Sequence, residues 1–205
     1  MRKFTDMPAD VFNEIVKNAG ILLKGATGFN PETGTYSRAD IIGATSGGIN
    51  FSDTPEYTDY GENIDNCPKN TKELKEITGR EVKASGTFIT VNNALAKLLM
   101  AAADVDSNNT NLLIPRDVLE DEDFEDIWFV TDYSAVDGGF VAVHLMNCLN
   151  TGGFKIQSSD DAKGTFSFDI TAHYTIADIN KVPYEVYVSE GEEETETTPT
   201  TETTP

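Results

Sequence analysis

Lys163-Gly164-Thr165-Phe166-Ser167-Phe168-Asp169-Ile170-Thr171-Ala172-His173-Tyr174-Thr175-Ile176 is the stretch on which the fold turns. Phe166, Phe168, Ile170, Ala172, Tyr174 and Ile176 alternate with Thr165, Ser167, Asp169, Thr171, His173 and Thr175, the period-two signature of a strand with one dry and one wet face. Working outward, Arg80 to Val91 places Val82, Ala84, Gly86 and Phe88 on one face. Asp126 to Tyr133 sets Ile127, Phe129 and Tyr133 opposite Trp128 and Val130. Gly139 to Leu149 is apolar on both faces, as an internal strand is. Val182 to Val188, opened by Pro183, adds a last strand.

Two segments read as helix. Asn92 or Asn93 caps the alanine-rich run from about 93 to 103, where Leu95, Leu98, Leu99 and Ala102 recur at helical spacing. Near the N-terminus, Asp6 as cap, Pro8 in the first turn and the face Val11, Phe12, Ile15, Val16 give a second start, with Gly20 as its stop. The fold class expected is mainly β: an antiparallel β-sandwich or barrel with one flanking α-helix. No βαβ rhythm is present.

Gly25 to Ser37 reads as loop. Asn50 to Thr78 is a longer polar excursion, and a loop of that length inside a domain tends to be functional. It is expected to bridge subunits through Pro55, Tyr57, Tyr60, Asp65 and Pro68. Residues 190–205, EGEEETETTPTTETTP, hold no large apolar side chain and read as a disordered acidic tail behind a domain spanning 1–189.

The chain has 205 residues, 35 Asp and Glu against 15 Lys and Arg, and a net charge of −20. Removing the tail's six charges still leaves the domain strongly acidic, which argues against a protein that holds nucleic acid by its phosphates. No apolar run is long enough for a spanning helix, and no signal-peptide core follows the N-terminus. Cys67 and Cys148 have no motif spacing and read as reduced thiols.

Chemistry-bearing motifs are weak. Gly43-Ala44-Thr45-Ser46-Gly47-Gly48 lacks a phosphate-loop lysine, and its likeness to a nucleophile elbow fails because a strand-like Ile49-Asn50-Phe51 follows. A hairpin or bulge is the plainer reading. His144 and His173 read as packed or solvated side chains, although a triad assembles in space and not in sequence. Glu120 to Asp126 lacks the ligand spacing and glycine of a calcium loop and reads as a solvated acidic loop. No zinc spacing, selectable carboxylate pair or sugar-stacking platform is evident. Neither catalysis nor a cofactor or metal is expected.

Several words in order resemble a known family: Ala19-Gly20-Ile21-Leu22-Leu23, Phe29-Asn30-Pro31, the run Ile42 to Phe51, the run Pro55 to Pro68, Val82 to Phe88, His173-Tyr174, and Val182 to Val188. Over about residues 7 to 189 the chain resembles the major tail proteins of long-tailed bacteriophages. The resemblance implies a virion tail tube assembled in the host cytoplasm. Its β-sandwich subunits form homo-hexameric rings, inner-sheet strands join into one barrel around a channel, and loops bridge stacked rings. It also implies other tail proteins as partners (tape measure, tail terminator, distal tail protein), passing DNA in the channel, and no membrane contact. The polar face Thr165, Ser167, Asp169, Thr171, His173 then suits the channel wall, where an acidic lining would let DNA slide. The Thr/Glu tail departs from the family pattern. A cell-surface or adhesin-like β-sandwich binding module is the competing reading, favoured by that tail and opposed by the missing signal peptide and anchor.

Overall fold

The structure is a computed structural model that describes residues 11, 15–132 and 138–191. Along the chain run β1 (Ile21–Lys24), β2 (Phe29–Asn30), β3 (Thr35–Tyr36), β4 (Thr45–Asp59), β5 (Lys75–Phe88), the helix α1 (Asn93–Met100), β6 (Ala103–Val105) and β7 (Leu113–Pro115). They are followed by β8 (Glu125–Asp132), β9 (Phe140–Asn150), β10 (Lys155–Ser159), β11 (Ala162–Ala172) and β12 (Tyr184–Ser189). The chain is mainly β, antiparallel, with one α-helix among the described residues.

Eight strands share one hydrogen-bonded path, β1-β8-β9-β11-β5-β4, with β10 added on β11 and β12 on β9. The path folds over on itself at β9. Residues 140–145 of β9 lie between β8 and β12, whereas its end, Cys148 to Asn150, pairs with β11. The bend has a local cause. Leu145 pairs with Ile127 and Cys148 with Glu125, so β9 spends one residue more than β8, and Asn147 takes a φ of 50°. That is a bulge, which turns a strand and resets which face its next side chains occupy. The Asp126 carboxylate fills it, accepting from the Asn147 N–H at 2.9 Å and lying 3.2 Å from His144 Nε2.

Between the two halves sits the main core. Val82, Ala84 and Phe88 of β5, Phe166, Phe168, Ile170 and Ala172 of β11, and Val143, Leu145 and Cys148 of β9 pack with Ile127, Leu22, Leu95 and Leu99. Each large side chain buried here contributes about 1.5–3 kcal/mol. The alternation in β11 is therefore the one its sequence gives, up to Ala172. Beyond it the strand stops: Ile176 is 96% exposed and opens a short 3-10 turn, so the dry face does not reach Tyr174 or Ile176. A second cluster, Leu23, Phe29, Trp128, Val130 and Ala142, fills the outer side of β1-β8-β9 under the β2–β3 hairpin.

The helix starts as its sequence requires, the Asn92 side chain accepting from the Leu95 N–H at 2.8 Å. It ends sooner than 103. Ala101 adopts a φ of 66°, closing the helix at Met100, and Ala103 begins β6. Likewise β5 stops at Phe88, short of Val91, which is half exposed. Of the expected N-terminal helix, residues 11 and 15–20 are described, and 15–20 carry no helix: the Lys17 N–H donates to the Asp132 carbonyl at 3.2 Å, laying the chain beside β8, and Ile15 and Val16 are about half exposed; residues 1–10 and 12–14, Tyr133 and the tail from 192 lie outside the described residues.

The largest correction concerns Asn50 to Thr78. It is not a loop. β4 and β5 form one long hairpin from Ile49↔Gly86 to Asp59↔Lys75, with a one-residue shift at Thr78 between Glu56↔Gly79 and Tyr57↔Ile77, and only residues 60–74 connect them. Polarity misled the reading because a two-stranded ribbon has no core to cover, so nothing requires apolar alternation. Pro55 is compatible because β4 is an edge strand.

Candidate assembly surface

The outer face of β4-β5-β11-β10 is polar throughout. Cross-strand register puts Asn50, Ser85 and Asp169 in one row and Ser52, Lys83 and Thr171 in the next. Thr87, Ser167 and Lys155 form a third row, and Thr165 pairs with Gln157. Four of the expected face residues, Thr165, Ser167, Asp169 and Thr171, therefore stand together. His173 does not join them. It lies past the strand end, its Nδ1 3.1 Å from the Asn147 carbonyl and its ring edge-on to Phe124.

Asp169 is held by its neighbours. Its N–H donates to Asn150 Oδ1 at 2.9 Å and its carbonyl accepts from the Thr151 N–H at 2.8 Å. The turn at Gly152 lies so close that a Cβ there would sit 2.8 Å from the carboxylate. With Lys155 in the adjoining row and Lys83 ion-paired to Glu81 on the other side, the face is nearly balanced in charge, and the expected acidic lining is absent from it. Acidity gathers instead between 104 and 126, where nine carboxylates accompany one cation, Arg116. That guanidinium is ion-paired with Asp104 (2.9 Å), Glu120 (3.2 Å) and Asp123 (2.8 Å).

Among the described residues both lateral edges of this half-sheet are open: β4 pairs only with β5, and β10 only with β11. Open edges invite pairing with another chain. The start of β4 is interrupted: between the pairs Thr45↔Phe88 and Ile49↔Gly86, three residues of β4 face one of β5, and Gly47 and Gly48 carry φ values of 82° and 86°. The glycine cluster is thus a bulge, with no helix after it. Gly86 is demanded by packing, since a Cβ would stand 2.8 Å from Phe168 Cζ and 3.1 Å from the Gly48 carbonyl.

Past Val82, where pairing with β11 ends, the hairpin continues as a free ribbon. Pro55 faces Arg80 and Tyr57 faces Ile77, with Lys75 Nζ 4.8 Å from the Tyr57 ring centroid. Tyr60 follows the strand, 57% exposed, and Asp65 and Pro68 lie in the connection. The connection is tied by Asp59, whose carboxylate accepts from the Asn70 N–H (2.8 Å) and the Gly61 N–H (2.9 Å). Those two bonds hold its carboxyl below the usual range.

At the ribbon's root sits a network that sequence reasoning missed. The Asp53 carboxylate joins Arg80 of β5 and accepts from the Tyr184 hydroxyl of β12 at 2.9 Å. Tyr184 also packs on Phe51, ring centroids 5.4 Å apart. Burial foremost, and then the bond to Asp53, push the Tyr184 hydroxyl above its ordinary pKa. The partners lie 27 and 131 positions from Asp53, so no spacing signal could have joined them.

The two histidines are packed. His144 stacks on Trp128 at 4.1 Å with ring planes 5° apart and lies 3.2 Å from Asp126, while His173 lies against the Asn147 carbonyl, so among the described residues neither is hydrogen-bonded to a serine or cysteine. Cys67 and Cys148 are free thiols, and Cys148 is buried. No helix of the described residues is long and apolar enough to cross a membrane.

No protein-family model matches the chain, and no curated protein matches it in sequence. Among solved structures it is similar to a chain from the virion of a native gene transfer agent particle. The two are 10% identical with a TM-score of 0.39, over 84% of this chain and 98% of that one.

Proposed function

We propose that this chain is a structural subunit of a phage-type tail tube, acting by assembly and not by catalysis. The observation that carries the reading is the half-sheet β4-β5-β11-β10: polar on its outer face and open at both edges. A wet sheet face with two free edges is stable as one segment of a larger closed barrel, where every edge is paired. Six copies contributing four strands each give twenty-four strands. At about 4.8 Å between strands and a tilt near 40°, the backbone cylinder is roughly 48 Å across. Side chains from both walls leave a bore wider than a B-form duplex.

In this arrangement Thr165, Ser167, Asp169 and Thr171 line the channel with Ser85, Thr87 and Asn50 beside them. Hydroxyls and balanced charge offer a polyanion no cationic foothold, so DNA passes without binding. The ribbon leaves the sheet along the strand direction and reaches the next ring, its exposed Tyr57 and Tyr60 making contact there. Tape-measure, terminator and distal tail proteins are the further partners that a tube of this kind meets, in a virion built in the host cytoplasm.

Electron microscopy of the purified chain, negatively stained, tests the reading directly. Rings of six-fold symmetry and hollow tubes are expected. Replacing residues 56–79 by an Asn-Gly turn, which keeps Pro55 paired with Arg80, should leave rings that do not stack. A chain that stays monomeric at high concentration, or normal tubes from the shortened ribbon, would overturn the assignment.

A further inference from the structure

The core side of the half-sheet β4-β5-β11-β10 is not covered out to its edges. Ile156 of β10 pairs with Phe166 of β11, and Phe166 belongs to the main core, so Ile156 points to that same side. It is nevertheless 62% exposed. Phe154, just before the strand, is 44% exposed with its ring centroid 6.2 Å from that of Phe166. At the opposite edge, Ile49 and Phe51 of β4 pair with Gly86 and Ala84 and pack against the core while only partly buried.

The other half of the fold also ends in an edge on the β4 side. Among the described residues β12 pairs only with β9. Its Tyr184 reaches β4, packing on Phe51 at 5.4 Å and donating to Asp53 at 2.9 Å. Val186 and Val188 follow Tyr184 on one face, opposite Val143 and Val141 of β9, and Val143 is a core residue. The two valines thus point to the core side, yet they are 51% and 58% exposed. They stand on the strand that Tyr184 holds against the free edge of β4. The patch on β10 is three strand spacings from that edge, about 14 Å, with the filled core between, so neither patch covers the other within one chain.

We infer that the occupant of this open side is β10 of a second copy, whose Ile156 and Phe154 enter between β4 and β12 and cover Val186 and Val188. Strand parity selects it. When the β10 edge of one copy joins the β4 edge of the next and the polar faces run on, Ile156 falls on the side where Ile49 and Phe51 stand. Backbone pairing at an edge exchanges bonds with water and stabilises little by itself, whereas burying four large apolar side chains drives association. The contact is heterologous, two different patches of one chain, and a rotation that returns to its start closes it into a ring. This rests on the tube reading and adds a dry second layer behind the strand pairing of the bore wall.

The test uses the full chain with Cys67→Ser and the buried Cys148 left in place, carrying Ile156→Cys together with Val186→Cys or Val188→Cys. After assembly and oxidation with copper phenanthroline, the paired variants should give a ladder of covalent multimers ending at six on a non-reducing gel, and the single variants none. Rings that form normally but stay uncoupled in both pairs overturn this inference and leave the tube reading standing. A ladder running beyond six sets the contact between rings and overturns it as well. Coupling of Val188→Cys to Val11→Cys, where Ile156→Cys stays uncoupled, overturns it in favour of the chain's own N-terminal segment. A parent chain that forms neither rings nor tubes overturns both readings. Separately, Ile156→Asp and Val188→Asp, each at a side chain more than half exposed, should keep the subunit's unfolding midpoint while cutting the yield of rings at least tenfold. An undiminished yield from either variant rejects the contact.

Discussion

Removing the Asp53 carboxylate is expected to loosen the ribbon from the body of the subunit. Asp53 is 15% exposed and Arg80 25%, and the same oxygen of Asp53 serves both Arg80 and Tyr184. Breaking a fully buried pair costs about 3–5 kcal/mol because a charge is left behind without its partner; with a quarter of Arg80 in water, about 2–3 kcal/mol is the fitting figure for Asp53→Ala. Tyr184→Phe removes one hydrogen bond to a charged acceptor while Asp53 keeps Arg80, so roughly 1.5 kcal/mol is expected there. For a domain of this size 1 kcal/mol moves Tm by about 2–4 °C, which places Asp53→Ala about 5–10 °C below the parent. Guanidinium unfolding of the subunit, below its assembly concentration, measures both. The double variant Asp53→Leu with Arg80→Met should recover most of the loss, since apolar packing replaces a buried pair at little cost. A second arm uses pH. The Tyr184 hydroxyl is raised above 10.0 in the folded chain, so its contribution is complete below pH 10 and is lost as pH rises through the folded value. Tyr60 and Tyr187 are shifted in the same direction, so the quantity to read is the difference between the parent and Tyr184→Phe. An Asp53→Ala variant within 0.5 kcal/mol of the parent would refute the anchor.

Gly86→Ala is expected to destabilise by about 1–3 kcal/mol, because the new methyl meets Phe168 at 2.8 Å; an unchanged denaturation midpoint would show that the ring has room to move. Cys148 is buried, and burial foremost, with the Asp126 charge behind it, pushes its thiol far up. A thiol reagent at pH 8 should therefore modify Cys67 alone in the native chain and both cysteines in guanidinium, and rapid native labelling of Cys148 would contradict its placement. Asp169→Lys adds two positive units per chain to a face already holding Lys83 and Lys155. Tubes of that variant should retain duplex DNA at low salt and release it at high salt, with a salt slope near 0.9 per phosphate engaged; retention no greater than the parent's would remove this face from the channel.

Legibility of the fold followed burial. Where a strand separates core from water, as in β11, β5 and β8, the period of two named the buried side chains: Phe166, Phe168, Ile170, Val82, Ala84 and Phe88 are all in the main core. At Ile176 the same alternation ran on past the point where a partner strand ended, and pattern alone could not show that. Ala101 is a comparable case. Its residue type favours continuing the helix, and the positive φ that ends it is imposed by the return of the chain into β6. The polar face was legible as a face, but its charge was not. Asp169 was visible in its own strand, whereas Lys83 and Lys155 join its neighbourhood only through register with β5 and β10. The Asp53–Arg80–Tyr184 network was out of reach for the same reason.

The ribbon shows where such reading stops, and why function tends to lie there. A segment that buries no apolar face within its own subunit leaves no periodic mark, so β4 beyond Asp53 and β5 before Val82 look like loop. The surfaces through which a subunit assembles are the ones relieved of packing in the monomer, and they take their constraints from another copy. Charge follows the same logic. Under the tube proposal a channel wall for DNA needs the absence of a net positive field more than a strong negative one, and hydroxyls with Asp169 and Glu81 set against Lys155 and Lys83 meet that need. The chain's densest acidity lies off this face, between 104 and 126, where nine carboxylates stand with Arg116 as the one cation, so the net charge of the whole chain does not foretell the charge of any one surface.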